Sequence, residues 1–180
     1  MLLPIIPISA SGRTVRGFGR DRRGSAAVEF AIVAPVFFAL IFAIIETAMV
    51  FFAGQVLETA VQDTGRTFYT SQNPTETALR ASLCSSVTTL MDCGTTNLCL
   101  DVRKFAKGVT IALPTVVDAS GNYTCAVEMP ASTDVDLTVV VRAYYKWPLF
   151  VTGLGYNITN IQSSTGKKRL LAAATAVRPQ

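Results

Sequence analysis

The residues best suited to chemistry in this 180-residue chain are four cysteines. Four thiols could form two disulfide bonds, or they could bind zinc as thiolates. Zinc ligands usually come in close pairs such as C-x2-C, whereas gaps of eight, five and twenty-five residues separate these cysteines. We therefore predict disulfides, an oxidising compartment and no metal site. The cysteines are Cys84, Cys93, Cys99 and Cys125.

The rest of the inventory argues against catalysis. The chain has no histidine, which removes the usual general base and the Ser/His and Cys/His pairs of nucleophilic enzymes. It also lacks a glycine-rich phosphate loop and a serine-centred nucleophile elbow. We therefore predict no catalytic residue and no cofactor, and an extracytoplasmic enzyme is the weakest hypothesis for its function.

Two carboxylates flank a long apolar run. Every residue from Phe30 to Ile45 is apolar, with Glu29 just before the run and Glu46 just after it. An ionisable group at the edge of such a segment is costly and suggests a function, although it could also merely reach the lipid headgroups. Seventeen residues separate the two acids, or about 25 Å along a helix, which would place them at opposite bilayer faces. For Glu46 we favour a boundary residue, with helix register or partner contact as the alternative.

The apolar run predicts a transmembrane helix over residues 25–53, because a bilayer needs about 20 apolar residues. Backbone groups in lipid can be satisfied by a helix, and Pro35 should kink this one by removing a hydrogen bond. The run exceeds the roughly 7–15 apolar residues of a cleaved signal peptide. A membrane anchor therefore explains it better than simple secretion does.

Charge is distributed unevenly along the chain and predicts its orientation. Residues 1–24 contain five arginines and one aspartate, which together account for the whole net charge of +4. The remaining residues carry eleven basic and eleven acidic side chains, so the basic balance does not indicate a nucleic-acid partner. Positive charge before an apolar helix keeps the N-terminus cytoplasmic and exports the C-terminal part.

Beyond the membrane, the pattern predicts two helical segments. Val50, Leu57, Val61 and Phe68 recur at helical spacing, so we expect the membrane helix to continue through residues 54–72. A second helix is predicted over 74–91, with Asn73 as its N-cap. Its apolar face is expected to comprise Leu79, Leu83, Val87 and Leu90.

The remaining sequence is strand-like. Short apolar runs predict strands over 98–105, 109–113 and 123–129. A longer alternation over 135–146 predicts a strand with one buried face. Residues 170–177 fit a final strand or a short helix.

We therefore predict an α+β fold: a long kinked N-terminal transmembrane helix, a second helix and a small antiparallel sheet domain with disulfides. The expected segments are a basic leader (1–24), the membrane helix (25–53), its extension (54–72) and an extracytoplasmic domain (73–180).

The start of the helix joins a basic leader, a glycine, small residues, a glutamate five places after the glycine and then the apolar run, in Arg22-Arg23-Gly24-Ser25-Ala26-Ala27-Val28-Glu29-Phe30. This stretch resembles a type IV prepilin cleavage site. In that family a membrane aspartyl peptidase cuts after the glycine, which here implies cleavage between Gly24 and Ser25. Glu29 would lie about one and a third helical turns from the new amine, too far to neutralise it comfortably but able to meet that of a neighbouring subunit. The resemblance therefore assigns Glu29 and Phe30 to subunit assembly.

Several stretches beyond the leader carry a second resemblance: Val139–Phe150, Val151–Gly155, Lys168–Ala176 and the Cys84–Cys93 spacing followed by Asp101-Val102. The N-terminal signature, and these C-terminal stretches still more, resemble the TadE-like family, the pseudopilins or minor pilins of tight-adherence (Flp) pilus machines. The similarity runs from about 22 to 177. The tail departs from this pattern, because relatives tend to end Arg-Asn-Glu where this chain has Arg178-Pro179-Gln180.

The resemblance implies a pilin-like fold, and a role in pilus assembly or initiation rather than a reaction. Its expected partners are the prepilin peptidase, other pilins or pseudopilins, the inner-membrane assembly platform and the lipid bilayer. It implies a single-pass inner-membrane protein with a periplasmic domain, which could also enter the extracellular pilus. The alternative is a membrane-anchored adhesin or ligand-binding module with a pilin-type leader.

The resemblance also suggests disulfide pairs and a contact surface. Cys84–Cys93 would be the family-like disulfide, which leaves Cys99–Cys125 as the second. Cysteine spacing alone equally allows Cys84–Cys125 with Cys93–Cys99. The apolar cluster Trp147-Pro148-Leu149-Phe150 is expected either to lie in the core below a strand end or to contact another pseudopilin.

Overall fold

A computed structural model describes residues 24–70, 74–118, 120–131, 136–161 and 168–177. Nearly all of the predicted leader therefore lies outside the described residues. The chain divides into two compact units, Met1–Leu40 and Ile41–Gln180. The expected boundaries after 24, 53 and 72 rest on membrane topology, which this division does not test.

The elements are helices α1 (Ser25–Thr70) and α2 (Glu76–Val87), strands β1 (Leu98–Ala106), β2 (Leu137–Pro148) and β3 (Lys168–Val177), and a short 3-10 helix (Val151–Leu154).

The predicted α+β class is confirmed. The long apolar helix is followed by a second helix, a three-stranded antiparallel sheet and two disulfides. In the first unit, α1 exposes its apolar side chains, among them Phe30, Ile32 and Leu40. Pro35 lies inside this helix without ending it.

The sheet of the second unit has the order β1-β2-β3, with β2 in the centre. The middle of β2 is covered on both faces, because Val140 and Arg142 are also buried, so the prediction of a single buried face is wrong there. The residues of the predicted buried face are Val139, Val141, Ala143, Tyr145 and Trp147, and all of them are buried. They pack in one core with the predicted apolar stripe of α1 and with Leu79, Leu83 and Val87 of α2. One face of α1, from Val50 to Phe68, is therefore part of the domain core.

Helix α1 approaches β3 closely at a glycine. A Cβ atom at Gly65 would lie 2.7 Å from Thr175 Cγ2 and 3.3 Å from Val177 Cγ1, so only glycine fits without a shift. Val177 pairs with Val139 and Thr175 pairs with Val141 across the sheet. This contact fixes the level at which the outer part of α1 crosses the sheet.

The structure pairs Cys84 with Cys93 and Cys99 with Cys125, at Cα–Cα distances of 5.9 and 6.3 Å. These are the pairs that the resemblance implied, and the nested alternative is not formed. The first joins the last turns of α2 to the segment before β1. The second joins β1 to the long connection between β1 and β2, and so anchors a segment that has little regular structure.

The second helix is shorter than predicted. It begins at Glu76 and ends at Val87, and the predicted N-cap Asn73 lies outside the described residues. Thr75 caps the helix instead, since its hydroxyl accepts a hydrogen bond from the Ala78 N–H at 3.2 Å. A threonine at this position satisfies an amide that the helix cannot, which makes the later start favourable.

Two predicted strands are wrong or incomplete. Residues 109–113 are not a strand, and Val109, Ile111 and Leu113 are exposed. Residues 123–129 form only isolated bridges, from Tyr123 to Val117 and from Val127 to Val102. Short apolar runs gave these predictions, but neither segment gains a full ladder of backbone bonds. The ambiguous segment 170–177 is a strand, because β2 offers it a complete antiparallel partner.

Candidate assembly site

Glu46 of α1 binds the turn that follows β2. Its side chain is buried, with 6% of its surface exposed, and its carboxylate accepts hydrogen bonds from two successive backbone amides. The Phe150 N–H donates to Oε1, and the Val151 N–H lies 3.2 Å from both oxygens. These amides begin the 3-10 helix, where free N–H groups favour a negative charge. Glu46 thus fixes the register between α1 and this turn, which sequence reasoning could not separate from a simple boundary role.

A second contact lies one residue further along α1. The Thr47 hydroxyl donates to the Ala43 carbonyl at 2.8 Å, so it receives the hydrogen bond from the Tyr156 hydroxyl at 2.7 Å. Gly155, between the 3-10 helix and Tyr156, has a φ of 87°, which favours glycine. We call residues 148–156 the base turn. Two adjacent positions of α1 therefore hold both ends of the base turn.

The predicted apolar contact surface is divided by this arrangement. Trp147 and Leu149 are buried, and the Trp147 ring packs edge-on against Tyr145 with 6.1 Å between ring centroids. Pro148 and Phe150 are exposed. Trp147 and Leu149 therefore belong to the core, which was one of the two expectations for this cluster. Pro148 and Phe150 face outward.

A groove of about 510 Å³ opens between α1 and β3 next to the base turn. Its floor is mainly apolar, while Gln55, Glu58 and Arg169 provide polar groups at its rim. Arg169 is held in place because its Nη1 donates to the Ile158 carbonyl at 2.7 Å. The groove therefore has a defined shape, and it spans the levels of α1 from Thr47 to Glu58.

A buried ion pair, whose role the sequence did not reveal, crosses the other face of the sheet. Asp101 of β1 is fully buried and faces Arg142 of β2, whose Nε and Nη2 lie 3.0 and 2.6 Å from Oδ2. Asp101 Oδ1 accepts from the Ala126 N–H at 3.0 Å, and Arg142 Nη1 donates to the Pro114 carbonyl at 3.1 Å. The pair therefore attaches two points of the long β1–β2 connection to the sheet. A charged residue at the centre of a valine-rich strand was the available signal.

Arg103 extends this network to the surface. Its Nε lies 3.2 Å from Asp101 Oδ1, and its Nη1 lies 2.6 Å from Glu128 Oε1. Partial burial by itself lowers the pKa of Arg103, but Glu128 and Asp101 outweigh it, and the net pKa is raised. Two acids and two bases are thus balanced, which is the condition under which buried charge is tolerated. The arrangement is structural and presents no reactive group.

An aromatic contact supports the region around the second disulfide. The Tyr123 hydroxyl lies within hydrogen-bond distance of the Asn97 carbonyl, at 2.8 Å, and of the Tyr144 carbonyl, at 3.2 Å. Lys146 Nζ lies 4.0 Å from the centre of the Tyr123 ring, a cation–π arrangement. Burial raises the pKa of Tyr123, and burial together with the nearby Lys168 lowers the pKa of Lys146.

The predicted processing and assembly residues all lie in the first unit. Gly24 and Ser25 are exposed where α1 begins, and Gly24 has open space around its Cα. Glu29 and Phe30 are also exposed, and Glu29 forms no ion pair with any residue that the structure describes. The structure thus leaves these four residues accessible, while it brings Glu46 and the apolar cluster together in the second unit.

Within the described residues, one helix, over Ser25–Tyr69, is long and apolar enough to cross a membrane. The mean hydropathy of its most apolar 18-residue window is 2.7, and none of that window is buried. The molecule is therefore an α+β protein with a candidate N-terminal membrane anchor.

The family comparison agrees with this class. Residues 24–66 match the family described as TadE-like protein, which confirms the predicted resemblance over the N-terminal signature and most of α1. The match covers 43 of the 180 residues, and the C-terminal stretches in which the resemblance is expected to be strongest lie outside it. No curated protein and no solved structure matches the chain.

Proposed function

We propose that this protein is a minor pilin or pseudopilin that acts in the assembly or initiation of a tight-adherence pilus. The supporting observation is the TadE-like match, which begins at Gly24 and covers the helix that carries the exposed Glu29. The prepilin peptidase cuts after Gly24, and α1 then holds the protein in the inner membrane until assembly. Its partners are the peptidase, the other pilins and the assembly platform.

Glu29 supplies the assembly contact in this proposal. The carboxylate lies on an exposed and otherwise apolar part of α1 without an ion partner among the described residues. The new Ser25 amine of a neighbouring subunit carries the opposite charge. In an apolar surrounding this attraction is much stronger than in water, so it selects one axial register between subunits.

The processing step is tested by the intact mass of the mature protein from its native host. We expect a chain that begins at Ser25. A chain that retains Met1, or one that begins near Gly54, would contradict the processing proposal.

The assembly step is tested with Glu29→Ala. We expect normal cleavage after Gly24 but a loss of piliation. Asp63→Ala is the matched control, because Asp63 is an exposed carboxylate further along the same helix, paired only with the exposed Arg66. Wild-type piliation in Glu29→Ala would show that this carboxylate only contacts lipid headgroups.

A further inference from the structure

The base turn carries the most exposed large apolar side chain among the described residues. Phe150 is 81% exposed, and Pro148 beside it is exposed as well. The sequence from Trp147 to Ile161 contains no Asp, Glu, Lys or Arg. An uncharged turn that presents an aromatic ring to its surroundings indicates a contact surface.

The level of this turn along α1 points to lipid as the partner. Exposed side chains of α1 in the second unit are apolar as far as Phe52 and mostly polar from Gln55 onward. Glu46 precedes Phe52 by six residues, which is about 9 Å of helix. Helical side chains lean toward the N-terminus, so the turn that Glu46 binds lies at its level or closer to the apolar end. Phe150 is therefore beside the apolar part of α1.

The three polar side chains that join α1 to the base turn, those of Glu46, Thr47 and Tyr156, have partners within the protein. The carboxylate of Glu46 accepts the amides of Phe150 and Val151, and the Tyr156 hydroxyl donates to Thr47. Lipid tails offer no hydrogen bonds, so a segment that enters them must satisfy such groups internally. Tyr156 is also partly exposed, which suits the preference of tyrosine for the membrane–water interface.

The sheet defines the opposite end of the domain. Glu46 contacts the turn that follows the end of β2. Gly65, further along α1, contacts Thr175 and Val177 of β3, which pair with Val141 and Val139 in the first half of β2. Helix α1 and strand β2 therefore run in opposite directions. Leu137 begins β2 eleven residues before Pro148, about 36 Å away along the strand. Leu137 pairs with Ala106, and Val109 follows in the next turn. Val109 is 57% exposed and marks the far end of the domain.

We propose that the base turn is a second membrane contact, in which Phe150 enters the acyl chains of the leaflet on the domain's side. The occupant of this surface is the lipid bilayer rather than another protein. The proposal rests on the membrane anchoring of α1 given above. It adds that the domain contacts the bilayer surface through Phe150. The hydrogen bonds from the Phe150 and Val151 amides to Glu46 join this contact to the membrane helix.

The test uses the full chain with one added cysteine carrying an environment-sensitive fluorophore. The labelled positions are Phe150→Cys, the matched exposed apolar control Val109→Cys, and Ile32→Cys as a reporter of α1 insertion. Each is reconstituted in phosphatidylethanolamine–phosphatidylglycerol vesicles that contain lipids with a nitroxide near the ester end of an acyl chain. All three residues are largely exposed, and intact mass verifies that both native disulfides are retained.

We expect a blue-shifted emission at positions 32 and 150 and loss of fluorescence when nitroxide lipid is present, with neither effect at position 109. If position 32 is quenched but position 150 behaves like position 109, α1 is inserted and the proposed turn contact is wrong. If position 150 is blue-shifted but not quenched, protein covers the turn, which also overturns the proposal. If position 32 is unquenched, the membrane anchoring fails and the turn contact fails with it.

Discussion

Arg142 Nη2 and Asp101 Oδ2 lie 2.6 Å apart on neighbouring strands, with 6% and 0% of their side chains exposed. Because each partner also binds the β1–β2 connection, the pair links the sheet to a segment with little regular structure. Arg142 also lies 5.7 Å from the centre of the Tyr144 ring. Removing either charge leaves the other buried without its main partner.

We predict that Arg142→Met destabilises the domain by about 3–5 kcal/mol, the usual cost of removing one partner of a buried ion pair. Arg103 remains 3.2 Å from Asp101, but it binds the other carboxylate oxygen and cannot replace the two contacts that Arg142 makes. Lys107→Met is the control, because Lys107 and Asp136 form an exposed pair at 3.1 Å whose loss should cost about 0–1 kcal/mol. Guanidinium unfolding of the detergent-solubilised protein measures both values. Equal midpoints for the two variants would show that the buried pair does not stabilise the fold.

We predict that Gly65→Ala destabilises the domain by about 1–3 kcal/mol, because its Cβ would overlap Thr175 and force the helix away from β3. Gly54→Ala is the control within the same helix, since no atom lies within 4 Å of the added Cβ. Alanine has the higher helix propensity, so Gly54→Ala should be neutral or stabilising by up to about 1 kcal/mol. Thermal melting distinguishes the two, and the same shift in both would contradict the close approach.

We predict that Glu46→Ala releases the base turn. Hydrogen bonds to a charged group contribute about 1.5–3 kcal/mol, so a loss of stability of that order is expected. The specific measurement is hydrogen exchange at the amides of Phe150 and Val151, which should become faster. Asp63→Ala should leave both amides protected. Unchanged exchange in Glu46→Ala would show that the turn is held by packing alone.

We predict that stability falls as the pH rises above about 10, the ordinary tyrosine pKa. Burial raises the folded-state pKa of Tyr123, so the unfolded chain loses its proton first and the folded state is disfavoured from that pH upward. In Tyr123→Phe this contribution disappears, and stability should depend less on alkaline pH. An identical slope in wild type and variant, measured from unfolding midpoints between neutral and alkaline pH, would refute this role.

How much of the fold the sequence predicts depends on the range of the interactions. Helix α1 and strand β2 follow from local periodicity, and Val139, Val141 and Ala143 are buried as the alternation requires. The first residue of α2 depends on the hydroxyl of Thr75, which a pattern of apolar residues does not detect. The same limit explains residues 109–113, where an apolar run has no strand to pair with.

In the candidate site, too, local sequence patterns predict some residues, whereas contacts between distant residues are not predicted. Gly24 and Glu29 are predicted from a linear signature, because the prepilin pattern is contiguous in the chain, and the structure leaves both exposed. The contact between Glu46 and Phe150 joins residues 104 positions apart. Asp101 and Arg142 are separated by 41 positions, and strand register alone brings them together. No local pattern encodes such distant partners.

Because one face of α1, from Val50 to Phe68, is part of the domain core, the chain must complete the domain in a fixed order. Leu57 and Val61 are inaccessible to solvent, and Gly65 accommodates Thr175 from β3. The helix is synthesised first, but the strand that covers it follows about a hundred residues later. The core can therefore close only after β3 has been synthesised. Until then, the apolar face of α1 lacks its cover, and apolar surface exposed in an incomplete fold is prone to aggregation.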